Sequence, residues 1–210
     1  MALSSQPNQS ATMLELARER AGALGLRNLK FVEADAETLA IEERDFNAAL
    51  CRWGLMFVLD LEAAVRRIAE LLAAGGTFAA AVWGPAEKVP MASLGEDAVR
   101  NLANLPPPVE GAPHPLKLAD TRPLERSLGR AGFKDIHVES LIVKFEWKSA
   151  EAFTEQRRAL SAPFRAMLSR QTPELQGQIL GAVTAAASKY ADASGIVRMD
   201  NEAICIAAHL

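Results

Sequence analysis

The residues with chemistry to offer are sparse. His114, His137 and His209 stand far apart, and no two have the spacing that holds a metal ion. Cys51 and Cys205 have no CxxC partner and both sit in apolar runs, so buried free thiols are expected. No metal is expected. There is no GxSxG elbow for a serine hydrolase, and no Ser–His–Asp set can be chosen without arbitrary picking. Two short words remain. Glu33-Ala34-Asp35-Ala36-Glu37 closes one apolar stretch, and Cys51-Arg52-Trp53 closes another. An aspartate after a strand commonly caps the turn that follows. An arginine and a tryptophan there can simply cover the end of a sheet.

The elements around these words must place them. Asn47–Cys51 reads as a strand opened by Asp45, and Thr77–Trp83 as a second strand with almost no polar residue. Between them Leu61–Ala73 has a helical stripe of Leu61, Ala64, Val65, Ile68, Leu71 and Leu72, with Asp60 as its N-cap. Strand, crossover helix and strand make a βαβ unit, which implies a parallel sheet buried on both faces. Gly75-Gly76 marks the turn into the second strand. Upstream, Ala11–Ala23 reads as a helix with Met13, Leu14, Leu16, Ala17 and Ala21 on its apolar side, and Leu29–Val32 reads as a strand.

Downstream, residues 84–120 read as a loop-rich insertion, with Pro106-Pro107-Pro108 and further prolines at 113 and 115. A helix follows up to Ala131, ended by Gly132. Asp135–Trp147 alternates as a long strand with one change of phase near Ser140. Residues 149–192 read as two or three helices broken near Pro163 and Pro173, and Ala203–Ala208 as a last strand. The helices, with Phe153, Leu160, Phe164, Met167 and Leu168, are either a cap over an apolar ligand or a plain cover for one sheet face.

Bulk properties narrow the class. At 210 residues, 50% hydrophobic and 23% charged, a single globular domain is expected. A net charge of −3 without a basic block gives no nucleic-acid footprint. No run is long and apolar enough for a membrane span. The start MALSSQPNQS has neither the basic nor the apolar region of a secretory signal, so the cytoplasm is the expected location.

Five words in this order resemble class I S-adenosylmethionine-dependent methyltransferases, above all their ubiquinone/menaquinone-type small-molecule branch. They are MLELARERAGALGL (13–26), FVEADAETL (31–39), DFNAALCRWGLMF (45–57), LLAAGGTFAAAVWG (71–84) and LGRAGFKDIHVES (128–140). The resemblance covers about two-thirds of the chain. It implies an α/β, Rossmann-like three-layer sandwich with a mostly parallel sheet, an antiparallel last strand and a helical cap. It also implies S-adenosylmethionine as cofactor and a small-molecule methyl acceptor. By the same resemblance, Asp35 and the backbone of Ala36 match the pair that holds the adenine ring. Cys51, Arg52 and Trp53 match the segment lining the methionine portion. Asn8 falls where the family places a ribose-binding acid; its alternative is a tail residue without a ligand.

One family feature is missing. The chain has no GxGxG loop, where glycine lets backbone approach the cofactor. A strand, loop and helix of that kind need about 30 residues, more than the stretch before Met13 supplies. The expected fold is therefore N-terminally truncated, and the strand Ala48–Cys51 is expected at a sheet edge. A homodimer or higher assembly burying that edge is expected. Two functions follow. One is a methyltransferase acting on a small molecule. The other is a catalytically inactive module that binds an apolar ligand near Trp53 and Trp83, or oligomerises. Hydrolysis on the same scaffold has no residue in its favour.

Overall fold

The computed structural model describes residues 7–109 and 111–210, with side chains from Ala11 onward. In chain order it contains α1 (Pro7–Ala23), β1 (Phe46–Arg52), α2 (Leu61–Leu71), β2 (Leu72–Trp83), α3 (Pro90–Leu102), α4 (Arg122–Arg130), β3 (Lys134–Trp147), α5 (Ala150–Leu160), α6 (Ala162–Leu168), α7 (Pro173–Ala187) and β4 (Val197–His209). The four strands form one sheet in the order β1-β2-β4-β3.

β1 and β2 are parallel, with Ala48 opposite Thr77 and Cys51 opposite Ala80, and α2 is their crossover. Asp60 caps α2, its Oδ1 accepting the Ala63 N–H at 2.9 Å. β4 runs against β2. The Leu210 N–H donates to the Gly76 carbonyl and the Gly84 N–H to the Glu202 carbonyl, both at 2.9 Å. The parallel βαβ unit and the antiparallel last strand thus match the expected α/β architecture. β1 has a strand on one side only among the described residues.

Several elements differ from the sequence reading. Leu29–Val32 is not a strand. A strand needs a neighbour for its backbone groups, and none of the described strands lies beside this segment. α2 stops at Leu71, and β2 begins at Leu72 with an irregular register before Thr77. Gly75 sits there at φ +76°, a conformation that side chains oppose, so the glycine pair shapes the strand's entry. The proline-rich stretch contains a whole helix, α3, with Pro90 in its first turn, where no N–H is needed. On α1, Leu14 and Ala21 are buried but Met13 and Leu16 are exposed. β4 begins six residues before the expected strand.

Contacts divide the chain into two compact units. The first comprises Met1–Val82, Asp120–Glu139 and Cys205–Leu210. Its interior includes Leu14, Leu55, Met56, Val65, Ile68, Phe78, Leu124, Leu128 and Phe133. The rings of Phe78 and Phe133 meet at 5.9 Å between centroids. On its surface Arg130 reaches Glu62 at 2.9 Å.

The second unit comprises Trp83–Ala119 and Ser140–Ile204. Its helices are started by side chains. Ser149, Ser161 and Thr172 accept the N–H groups of Ala152, Phe164 and Leu175 at the heads of α5, α6 and α7. Val99, Trp147, Phe153, Phe164, Ile179, Val183 and Met199 form one buried cluster. Asn201, fully buried, accepts the Met91 N–H at 2.9 Å and donates to the Met199 carbonyl at 3.0 Å. It satisfies two backbone groups that would otherwise be stranded away from water.

Glu96 on α3 is buried, and its Oε1 accepts no hydrogen bond among the described residues. Burial raises its carboxyl above the usual range, against the pull of Arg100 and Arg157 and with a small push from Asp97. A raised acid favours the folded state while protonated. That contribution is complete below the ordinary carboxylate value of 4.5 and is lost as pH rises through the raised one. Glu96→Gln removes the titration. The stability of the variant relative to the parent should therefore rise steadily from pH 4 towards neutrality in urea unfolding. Parallel stability curves for the two proteins would refute the assignment.

Candidate functional site

The carboxyl ends of parallel strands are where α/β folds take ligands. At this end of β1 the strand finishes with Cys51 and Arg52, and the chain bends at Trp53 before Gly54. Trp53 has φ +54°, a left-handed conformation that a bulky residue adopts only when its surroundings enforce it. Its N–H donates to the Ala81 carbonyl at 2.8 Å, which pins the turn to β2. The Arg52 guanidinium lies over the Trp53 ring, 4.9 Å from its centroid. Cys51 is half-buried. Burial pushes its thiol up, against the N–H groups of Leu55 and Gly54, so it stays protonated and unreactive at neutral pH. Gly54 leaves no room for more, because a Cβ there would sit 2.9 Å from Cys51 Sγ.

The acidic word lies in the same unit. Asp35 is exposed, and its Oδ1 accepts the Glu37 N–H at 2.8 Å, so it caps its own turn. Ala36 is buried and packs in one cluster with Val58 and Ala64. Glu37 joins the two words. Its carboxylate accepts the Leu59 N–H at 2.7 Å and the Asp60 N–H at 3.0 Å. Asp60 in turn caps α2. Asp35 and Ala36 are thus tied to the chain just downstream of Trp53. Asn8 lies in α1, but its side chain falls outside the described residues.

Sequence reasoning passed over Glu37 and Gly54. Glu37 looked like one more acid in an exposed run, and only the chain reversal that brings Leu59 to it reveals the clamp. Gly54 carried a signal in its place directly after Arg-Trp, since a glycine there permits close approach. Among the described residues no group of His, Cys, Asp and Glu could hold a metal ion.

The fold that carries these residues has likenesses among known proteins. Residues 6–80 match the sequence model of the family described as methyltransferase domain. Aklanonic acid methyltransferase DauC of Streptomyces sp. (strain C5) is 36% identical over 67 residues, covering 32% of this chain and 30% of that protein. The chain therefore spans about a third of the curated relative it matches. The crystal structure of YcgJ from Bacillus subtilis has a TM-score of 0.54 at 15% identity, over 99% of this chain and 80% of that one. The protein BH2331 from Bacillus halodurans C-125 gives 0.53 at 14% identity, over 99% and 81%. These two likenesses show the fold. The sequence match thus covers residues 6–80, and the two structures share the fold of this chain.

Proposed function

We propose that this chain binds S-adenosylmethionine beside the carboxyl end of β1 and serves methyl transfer to a small molecule. When bound, the cofactor supplies an electrophilic methyl group on a sulfonium sulfur. A solved relative in fold, phosphoethanolamine N-methyltransferase 2 of Haemonchus contortus, carries S-adenosylhomocysteine, with a TM-score of 0.50 at 18% identity over 94% of this chain and 41% of that one.

The residues present suit the two ends of such a ligand. Asp35 offers an exposed carboxylate beside a backbone held by its own turn, as an adenine amino group and ring nitrogen require. Cys51, Arg52 and Trp53 form a fixed wall for the methionine portion, with Arg52 supplying the charge that would meet a carboxylate. Asn8 is assigned to the ribose through its amide oxygen, a weaker acceptor than an acid. No base is assigned, because an acceptor that is already nucleophilic needs none.

The observation that carries this reading is the family match over residues 6–80, which encloses these five residues and Ala36. No helix of the described residues is long and apolar enough to cross a membrane. The reading includes action in the cytoplasm on a small-molecule acceptor, as a homodimer.

Titration calorimetry with S-adenosylmethionine and S-adenosylhomocysteine tests it. Micromolar binding of both is expected, weakened at least tenfold by Asp35→Ala. Absence of heat with either ligand overturns the reading and leaves a module that binds other molecules or oligomerises.

A further inference from the structure

Glu37 stands outside the residues assigned to the cofactor, yet its carboxylate joins the two segments that carry them. One oxygen accepts the Leu59 N–H at 2.7 Å and the other the Asp60 N–H at 3.0 Å, groups that lie 22 and 23 residues further along the chain. The bond to Asp60 completes the head of α2. Asp60 is the N-cap, and its side chain accepts the Ala63 N–H. In a capping box the third helical residue returns that bond, a Glu or Gln side chain accepting the N–H of the N-cap. Here that residue is Ala63, which has no acceptor in its side chain. Glu37 supplies the missing half from the upstream segment, and its charge suits the positive end of a helix.

Both sides of this bridge are held in place. Upstream, Asp35 Oδ1 accepts the N–H of Glu37 itself at 2.8 Å, and Ala36 between them shares a buried cluster with Val58 and Ala64. Downstream, the chain from Trp53 to Leu59 is short and anchored. Leu55, Met56 and Val58 are buried, and the Phe57 N–H donates to the Gly54 carbonyl at 3.0 Å.

We propose that Glu37 is a positioning residue for the cofactor, holding the Asp35 turn in register with the wall of Cys51, Arg52 and Trp53. This role presupposes the cofactor reading and adds to it a residue that acts through Asp35. A ligand spanning two contacts gains most when both are preset. Without the clamp, part of its binding energy goes into ordering the Asp35 turn.

Calorimetry with S-adenosylhomocysteine on the full chain tests the role. Glu37→Ala should weaken binding about tenfold. Glu37→Gln has the same length and one carbonyl oxygen, so it keeps one of the two bonds and should lose only about threefold. The decisive variant combines Glu37→Ala with Asp35→Ala. An Asp35 already out of position has little left to lose, so the pair should cost about tenfold to twentyfold, where independent losses would multiply to about a hundredfold. Should Glu37→Ala fail to fold by circular dichroism, Glu37→Gln takes its place in the cycle, and the double variant should again fall short of the product. Glu43→Ala is the control, because that carboxylate pairs with Lys30 inside the upstream stretch, and it should bind like the parent.

A parent that binds no S-adenosylhomocysteine overturns the cofactor reading itself. If the parent binds, four results overturn the positioning role and leave that reading standing. They are Glu37 variants that match the parent, an Asp35→Ala that costs nothing, losses that multiply in the double variant, and a Glu43→Ala loss as large as that of Glu37→Ala.

Discussion

Phe153→Ala is expected to lower the unfolding free energy by about 3–5 kcal/mol. Phe153 is fully buried on α5, and its ring meets Trp147 edge-on at 4.9 Å between centroids. It belongs to the cluster that holds Phe164, Ile179, Val183 and Met199. Truncation removes the transfer term of the ring and leaves a cavity between helices that already start with capped, fixed ends. Total stabilities lie near 5–15 kcal/mol, so the loss is a large fraction of what holds the fold. At 2–4 °C per kcal/mol for a chain of this size, the midpoint should fall by roughly 6–20 °C. Leu160 on the same helix is the control. It is 72% exposed, so Leu160→Ala should change stability by about 0.5 kcal/mol or less. Thermal melts of the two variants make the comparison. Equal effects would mean that the cluster is not packed as described.

Much of this architecture could be read directly from residue order. The βαβ unit was visible because a period of two changes to 3.6 and back, with Asp60 and Gly75-Gly76 as punctuation. The breaks before α6 and α7 follow Pro163 and Pro173, which tolerate only the first turn of a helix. What stayed hidden depended on neighbours. Leu29–Val32 has strand composition, yet a strand exists only where another strand takes its hydrogen bonds. α3 lay behind a count of prolines that did not separate Pro90, which starts a helix, from Pro106–Pro108, which exclude one. The first half of β4 alternates Arg198, Asp200 and Glu202 with Val197, Met199 and Asn201, and the buried asparagine disguised its inward face.

The candidate site was readable to a smaller degree. The words around Asp35 and Trp53 marked two places along the chain, but their coupling runs through Glu37, whose carboxylate meets backbone N–H groups more than twenty residues away. No local pattern encodes a bond of that span. The left-handed Trp53 was equally invisible, since nothing in residue type asks a tryptophan to adopt a positive φ.

That strained turn yields the sharpest functional expectation. Gly54→Ala adds one methyl group, which would sit 2.9 Å from Cys51 Sγ, inside normal contact distance. The thiol is half-buried. Either Cys51 Sγ or the turn must shift, and a shifted turn carries Trp53 and the guanidinium stacked upon it. Affinity for S-adenosylhomocysteine should fall about tenfold, or 1.4 kcal/mol. Cys51→Ala removes the clashing sulfur. Combined with Gly54→Ala, it should recover most of the loss, giving a coupling energy that neither single change predicts. Gly177→Ala on α7 serves as the reference, because a Cβ there meets nothing within 4 Å. Calorimetry on the four proteins reads the cycle. If Gly54→Ala binds like the parent, or if removing the sulfur restores nothing, this turn does not shape a cofactor site.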